Sequence, residues 1–232
     1  GYIFENVTNP VVIANGVQIT DATAKKQVGV LAQGTGAGMT LNGGISVVGD
    51  NNTGVYSSTG QTVVNNGTLT VGDSVGKSSI GIYSKGGAVT SNGNATIGKN
   101  SVGIYGKDAG AKLSGDMTVD EKGIGLYVDN DTTKPTVNTE ITGKLEVGNN
   151  GTIGIQATNS NIKLGGDLTV GDNDSKGIFS KGAGDIETAG NITVGKDSVG
   201  IYKEGSGKIE TAAGKTLTVA EKGFGIYSKG AE

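Results

Sequence analysis

Aromatic and cationic residues recur at fixed positions of one short motif, and they are the main candidates for binding chemistry in this sequence. The motif is clearest at Ile80-Gly81-Ile82-Tyr83-Ser84-Lys85. Its aromatic position holds Tyr56, Tyr83, Tyr105, Tyr127, Phe179, Tyr202 and Tyr227, with Gln156 in one copy. Its lysine position holds Lys85, Lys107, Lys181 and Lys229. Such a row could stack against sugars or dock a partner protein, or its rings could simply stack on one another and stabilise the fold.

Two other patterns suggest ligands but fit them poorly. Gly72-Asp73-Ser74-Val75-Gly76-Lys77-Ser78 resembles a phosphate-binding P-loop, yet three residues rather than four separate its glycines, and a strand rather than a helix should follow. Turn aspartates such as Asp73 and Asp172 could suggest calcium, but Lys99 and Lys196 take the same place in other copies. We therefore expect no nucleotide, no metal ion and no other cofactor.

The composition removes most catalytic chemistry. The 232 residues include no Cys, His, Trp or Arg, so thiolate nucleophiles, the commonest general base and the commonest metal ligands are missing. A net charge of −3 has the wrong sign for a protein that binds nucleic acid through phosphates. No apolar run approaches the ~20 residues of a membrane span, so we expect no membrane contact by this segment. These features predict a protein that is not an enzyme.

A repeat organises the candidate residues. The motif's central glycine recurs at intervals of 22 to 29 residues, at Gly29, Gly54, Gly81, Gly103, Gly125, Gly154, Gly177, Gly200 and Gly225. Periods of this length are typical of solenoids, propellers and repeat arrays. The chain carries 44 glycines without a collagen period, which favours many short strands joined by tight turns.

Three short strands are predicted in each period. Besides the glycine motif, each period has an apolar-polar-apolar triplet such as Leu69-Thr70-Val71 and a third apolar element between these two, such as Val63 or Val89. No window shows the spacing of an amphipathic helix. We therefore predict an all-β, right-handed, three-sided parallel β-helix of about nine coils of 22–29 residues. If Ile82 points inward, alternation places Gly81, Tyr83 and Lys85 on the outer face.

Residues 1–232 are predicted to form one solenoid segment. Residues 1–30 are the most divergent and are expected to join a preceding coil, and both ends fall within the repeat, which suggests an excerpt of something longer. The longest interval contains the polar stretch Val128 to Thr136, which we expect to protrude as a loop. Asp129, Asn130, Asp131 and Lys134 are its candidate binding residues, although a corner tolerated by length drift would look the same.

The recurrent Gly-Ile-Tyr-Ser-Lys-Gly and Leu-Thr-Val-Gly motifs, in a chain rich in Gly, Asn and Thr and free of Cys, resemble passenger repeats of bacterial type V autotransporters, most of all the large fusobacterial outer-membrane adhesins. The resemblance covers about residue 28 to the end. It implies a β-helical passenger displayed at the cell surface, anchored in the outer membrane or secreted through parts outside this chain, with a surface protein or glycan of another cell as partner.

Three functions follow as expectations. The first is a cell-surface adhesin or display stalk that mediates or supports attachment to partner cells or host surfaces. The second is a polysaccharide-acting β-helix enzyme, a lyase or glycosidase using paired carboxylates. The third is a pure spacer. The regular period further predicts an elongated monomer.

Overall fold

The structure is a computed structural model that describes residues 1–131 and 137–230, and all regular elements in these residues are β-strands. The strands form three parallel sheets. Sheet 1 contains β1 Tyr2–Glu5, β4 Val28–Gln33, β7 Thr53–Ser57, β10 Ile80–Lys85, β13 Val102–Lys107, β16 Ile124–Asp129, β19 Ile153–Thr158, β22 Lys176–Lys181, β25 Val199–Glu204 and β28 Phe224–Lys229.

The two other sheets complete each coil. Sheet 2 contains β2 Val11–Ile13, β5 Met39–Leu41, β8 Val63–Asn65, β11 Val89–Ser91, β14 Ala111–Leu113, β17 Val137–Ile141, β20 Ser160–Leu164, β23 Ile186–Thr188 and β26 Ile209–Thr211. Sheet 3 contains β3 Val17–Ile19, β6 Ile45–Val47, β9 Leu69–Val71, β12 Ala95–Ile97, β15 Met117–Val119, β18 Leu145–Val147, β21 Leu168–Val170, β24 Ile192–Val194 and β27 Leu217–Val219.

Each strand pairs in parallel with the strand one coil away, for example Ile82 with Ile104 and Thr96 with Thr118. Consecutive strands therefore lie in different sheets, and the chain winds as a three-sided parallel β-helix. The predicted fold and the predicted number of about nine coils are confirmed. Residues 1–30 supply a complete coil of their own, because β1, β2 and β3 pair with β4, β5 and β6.

One continuous aliphatic core fills the β-helix. The inward residues of the three sheets, for example Ile82, Val89 and Ile97, are at most 1 % exposed. Each such side chain contributes about 1.5–3 kcal/mol by leaving water. Alternation turns the residues between them outward, as with the exposed Thr96.

The recurrent glycine faces the core, and the prediction that it faces outward is wrong. A Cβ on Gly81 would lie 2.6 Å from Leu69 Cδ1 and 2.6 Å from the carbonyl oxygen of Gly103 in the next coil. Each of the other motif glycines that has a further coil after it would likewise place a Cβ close to a core side chain and to the carbonyl oxygen of the motif glycine in that next coil. Strict alternation fails here because Gly81 and Ile82 are both buried, so two consecutive residues point inward before Tyr83 points out. The glycine thus makes room for core side chains.

Candidate functional site

The predicted aromatic residues lie in one column on the outer face of sheet 1, in register from coil to coil and interrupted once by Gln156. We call this the aromatic column: Tyr56, Tyr83, Tyr105, Tyr127, Gln156, Phe179, Tyr202 and Tyr227 on β7, β10, β13, β16, β19, β22, β25 and β28. All but the terminal Tyr227 are half-buried. The predicted outward orientation of the rings is therefore confirmed.

The rings on adjacent coils contact one another from Tyr56 to Tyr127 and again from Phe179 to Tyr227. The ring centroids of Tyr56 and Tyr83 are 4.7 Å apart in a stacked pair, and those of Tyr105 and Tyr127 are 4.6 Å apart in an edge-to-face pair. Burial raises the pKa of the Tyr83 and Tyr105 hydroxyls. Pairs of this kind add about 0.5–1.5 kcal/mol beyond burial, so the column stabilises the stacking of the coils. Several ring faces are covered by neighbouring rings, which leaves fewer of them open to a sugar.

Beside the rings lies a column of mixed charge, where the sequence predicted an edge of lysines. We call it the charged column, and its members are Lys85, Lys107, Asp129, Thr158, Lys181, Glu204 and Lys229. The Lys107 ammonium donates a hydrogen bond to the Asp129 carboxylate at 2.8 Å, and this bond raises the pKa of Lys107. Lys181 Nζ lies 5.1 Å from the Phe179 ring centroid, a cation–π contact.

A third column on the same face was missed at the sequence level. The first residue of each strand of sheet 1 also points outward and is half-buried in most coils. From β10 to β28 this aliphatic column consists of Ile80, Val102, Ile124, Ile153, Lys176, Val199 and Phe224. Its signal was present in the Ile or Val that precedes six of the nine motif glycines, but interpreting that glycine as outward assigned the residue before it to the inside.

The first residues of the predicted loop, Val128, Asp129 and Asn130, pack in the rod and do not protrude. Val128 is 1 % exposed in the core, and Asp129 ends β16 with its carboxylate bound to Lys107. The Asn130 amide is buried and donates to the Asn159 carbonyl at 3.1 Å. The Asp131 N–H donates to the Asp108 carboxylate at 2.8 Å. These residues belong to the rod because the chain continues the register of the neighbouring coils, whereas residues 132–136, including Lys134, lie outside the described residues.

Turn carboxylates and amides act as backbone caps. Asp73, Asp116 and Asp172 each accept a hydrogen bond from the N–H of a residue in the next coil, for example Lys196 N to Asp172 Oδ1 at 2.7 Å. Asn94, Asn149 and Asp167 do the same. We call this set, Asp73, Asn94, Asp116, Asn149, Asp167 and Asp172, the Asx caps. In the part of the chain that the structure describes, no group of three or more His, Cys, Asp or Glu residues could hold a metal ion.

The segment that resembles a P-loop binds an anionic group, and that group is a side-chain carboxylate of the same chain. Val75 N–H and Gly76 N–H donate to the two carboxylate oxygens of Asp50 from the coil below, at 2.6 and 3.0 Å. The amides that would bind a phosphate are therefore already satisfied. This geometry agrees with the expectation that the segment is not a nucleotide site.

Sheet 2 carries a shallow polar groove across β17, β20 and β23. The groove has a volume of about 340 Å³, and Asn138, Asn161 and Asp185 line one side of it. Glu140, Lys163 and Glu187 line the other side. Glu140 is paired with Lys112 at 3.6 Å. On β26, Glu210 lies beside Glu187, its partner in register.

A lysine is buried in the core of the later coils, which the sequence did not reveal. Lys203 is 0 % exposed and occupies the inward position that Ser180 and Ser228 hold in adjacent coils. Its ammonium donates to the Gly184 carbonyl at 2.7 Å. Burial lowers the pKa of Lys203, and nearby Asp185 partly opposes that effect. The Ser180 hydroxyl has no hydrogen-bond partner.

No known protein family, curated protein or solved structure matches this chain. Among the described residues, no helix has the length and apolarity needed to span a membrane. Function is therefore inferred from the geometry of the rod and from its sequence motifs.

Proposed function

We propose that this chain is a segment of a cell-surface adhesin or display stalk that holds or presents a binding surface away from the cell. The observation that carries the proposal is the uninterrupted register of the three sheets, from β1 to β28 in the described residues. Nine coils at about 4.8 Å per coil give a rod roughly 43 Å long, and each further coil would lengthen it by the same step. A rod of this kind can hold a binding surface at a distance from the cell.

The motif resemblance to type V autotransporter passengers supports the surface location and the adhesive role. Absence of Cys suits a passenger that crosses a pore unfolded, since a disulfide would obstruct passage. The proposed partner is a surface protein or glycan of another cell. The chain's fixed charges also support a non-catalytic role, because the turn carboxylates cap backbone amides of adjacent coils.

A polysaccharide-acting enzyme is the second candidate, and the groove on sheet 2 favours it. Glu187 lines that groove beside Lys163, and its register partner Glu210 adds a second carboxylate on the neighbouring strand. Incubation with acidic and neutral polysaccharides, with detection of new reducing ends, tests this candidate. Release of ends by the parent chain and not by Glu187→Gln would favour the enzyme over the stalk.

Binding by the isolated segment to whole cells and to a glycan array tests the adhesin. If the aromatic column binds, Tyr105→Ala should weaken binding slightly, and the triple variant at Tyr83, Tyr105 and Tyr127 should weaken it steeply through lost avidity. The matched control replaces exposed Thr70, Thr96 and Thr118 on sheet 3 by Ala.

The insertion is the other candidate binding surface. Removal of residues 132–136 should abolish binding and keep the β-sheet circular dichroism if the partner contacts that segment. No binding by the parent segment on cells or glycans would leave the pure spacer as the function of this part of the rod.

A further inference from the structure

The outer face of sheet 1 has a pattern that is complementary to itself. From β13 to β25 the charged column consists, in order, of Lys107, Asp129, Thr158, Lys181 and Glu204. The signs are plus, minus, neutral, plus, minus. When this order is reversed about Thr158, every cation meets an anion: Lys107 meets Glu204, and Asp129 meets Lys181.

The two apolar columns are symmetric about the same strand, β19. In the aromatic column Gln156 stands at the centre, with Tyr127 and Phe179 on either side and Tyr105 and Tyr202 beyond them. In the aliphatic column Ile153 is central, and Val102 matches Val199. Lys176, which lies opposite Ile124, is the exception, and its ammonium is already paired with Asp174 at 2.7 Å.

The order of the columns across the face selects one arrangement of two copies. A two-fold axis along the strand direction keeps each column opposite its own equivalent, so aliphatic meets aliphatic, ring meets ring, and charge meets charge. The two rods are then antiparallel. A two-fold axis along the rod would instead place the charged column against the aliphatic column, which would bury Lys107 and Glu204 against Val side chains at high cost.

We propose that this face binds a second copy of the chain, in an antiparallel two-fold dimer whose axis runs along β19. An isologous contact needs a surface complementary to itself, which the three columns supply from β13 to β25. On the outermost strands, β10 and β28, Lys85 meets Lys229, a like-charge pair at the two ends of the contact. The overlap covers the seven strands from β10 to β28. At about 4.8 Å per strand and 3.3 Å per residue, it measures roughly 34 Å by 20 Å, or about 700 Å² per copy. Stable interfaces bury about 800 Å² per partner.

This inference replaces the sequence expectation of a monomer. The interface would be rich in tyrosine, the residue type that protein interfaces favour, and its charges would lie at one edge. Edge charges set orientation and register more than affinity, so the antiparallel register depends on Lys107, Asp129, Lys181 and Glu204.

A charge-swap experiment tests the dimer. Lys107→Glu places a carboxylate opposite Glu204 of the second copy, and Glu204→Lys places an ammonium opposite Lys107. Each variant alone should dimerise at least tenfold more weakly than the parent chain in sedimentation velocity. An equimolar mixture of the two should recover dimer, because position 107 of each copy then faces an opposite charge at position 204 of the other. Circular dichroism of each variant checks that the rod is intact.

Glu187→Lys is the matched control, since it makes the same change on the exposed face of sheet 2. It should leave dimerisation unchanged. A parent chain that stays monomeric to millimolar concentration would overturn the proposal. The proposal would also be overturned if Glu187→Lys weakened association as much as Glu204→Lys, or if the mixture of Lys107→Glu and Glu204→Lys did not recover dimer.

Cross-linking tests the position of the axis. The chain has no cysteine, so Thr158→Cys places a single thiol beside the proposed axis, and a short bis-maleimide should link two copies through it. Thr90→Cys on sheet 2 is the control and should link far less. Equal linking at both positions would show that sheet 1 is not the interface.

Discussion

Substitution of Gly103 by Ala tests why glycine recurs once per coil. A Cβ at this position would lie 2.5 Å from the Gly125 carbonyl oxygen and 2.7 Å from Ile97 Cδ1. The tip of Ile97 can rotate away. The Gly125 oxygen cannot, because it belongs to the backbone of the next coil, so the two coils must separate locally.

The expected cost follows from these contacts. Overpacking of a core typically costs about 1–3 kcal/mol. The lower conformational entropy of Ala in the unfolded chain offsets about 0.4–1 kcal/mol. Gly103→Ala should therefore destabilise the rod by about 1–2 kcal/mol.

Gly72→Ala is the control. Its Cβ would meet nothing closer than the Val47 carbonyl oxygen at 3.4 Å, an ordinary contact, so this variant should be neutral or stabilised by up to about 1 kcal/mol. Urea unfolding followed by circular dichroism compares the two. With a slope of about 2 kcal/mol per molar, their midpoints should differ by about 1 M. Coincident midpoints would refute the close-approach explanation of the glycine series.

Three further changes test core facing, caps and the buried lysine. Ile104→Asp puts an unpaired carboxylate at a 0 % exposed site and should lower the free energy of unfolding by about 3–5 kcal/mol. Lys107→Ala removes a half-exposed ion pair and should change the free energy of unfolding by no more than about 1 kcal/mol. Equal melting temperatures of the two variants would contradict the assigned facing. Asp172→Ala leaves the Lys196 N–H without its side-chain acceptor and should lose about 0.5–1.5 kcal/mol in urea unfolding, while Asp172→Asn keeps the acceptor oxygen and should lose less. For Lys203, burial lowers the folded pKa below the ordinary 10.5, so between the two values the unfolded chain binds a proton that the folded chain does not, and stability rises with pH. The parent chain should therefore gain stability relative to Lys203→Met as pH rises toward 10.5, and a pH-independent difference would argue against a perturbed lysine.

The period could be predicted because one motif recurs along the chain, and the three strands per coil and the outward rings could be predicted because each depends on alternation within one coil. Alternation around Ile82 identifies Tyr83 as outward without reference to any neighbour. The facing of Gly81 could not be predicted this way, because the strand places two consecutive residues inward where Leu69 of the same rod needs space.

The charged column shows a second limit. Asp129 and Glu204 share the position of Lys107, as aligning the copies by their glycines shows, but that alignment does not show that Lys107 and Asp129 bond across coils. The Asx caps could not be recognised either, because each joins two residues more than 20 positions apart, and single-sequence patterns do not report such pairs. Lys203 resembles a surface residue by type, and only its position in the serine series indicates that it is buried.

The Asx caps give the rod a direction. In every one of them the side-chain acceptor lies in the earlier coil and the backbone donor in the later coil, as with Asn94 and Asp116, and Asp116 in turn with Lys144. Peeling the later coil away leaves an exposed carboxylate or amide, which water solvates readily. Peeling the earlier coil away leaves backbone N–H groups of a formed turn without an acceptor. Under a pulling force the rod should therefore unwind more easily from its C-terminal side. When the rod forms from its N-terminal side, the backbone N–H groups of each new turn meet side-chain acceptors that the earlier coil already holds in place.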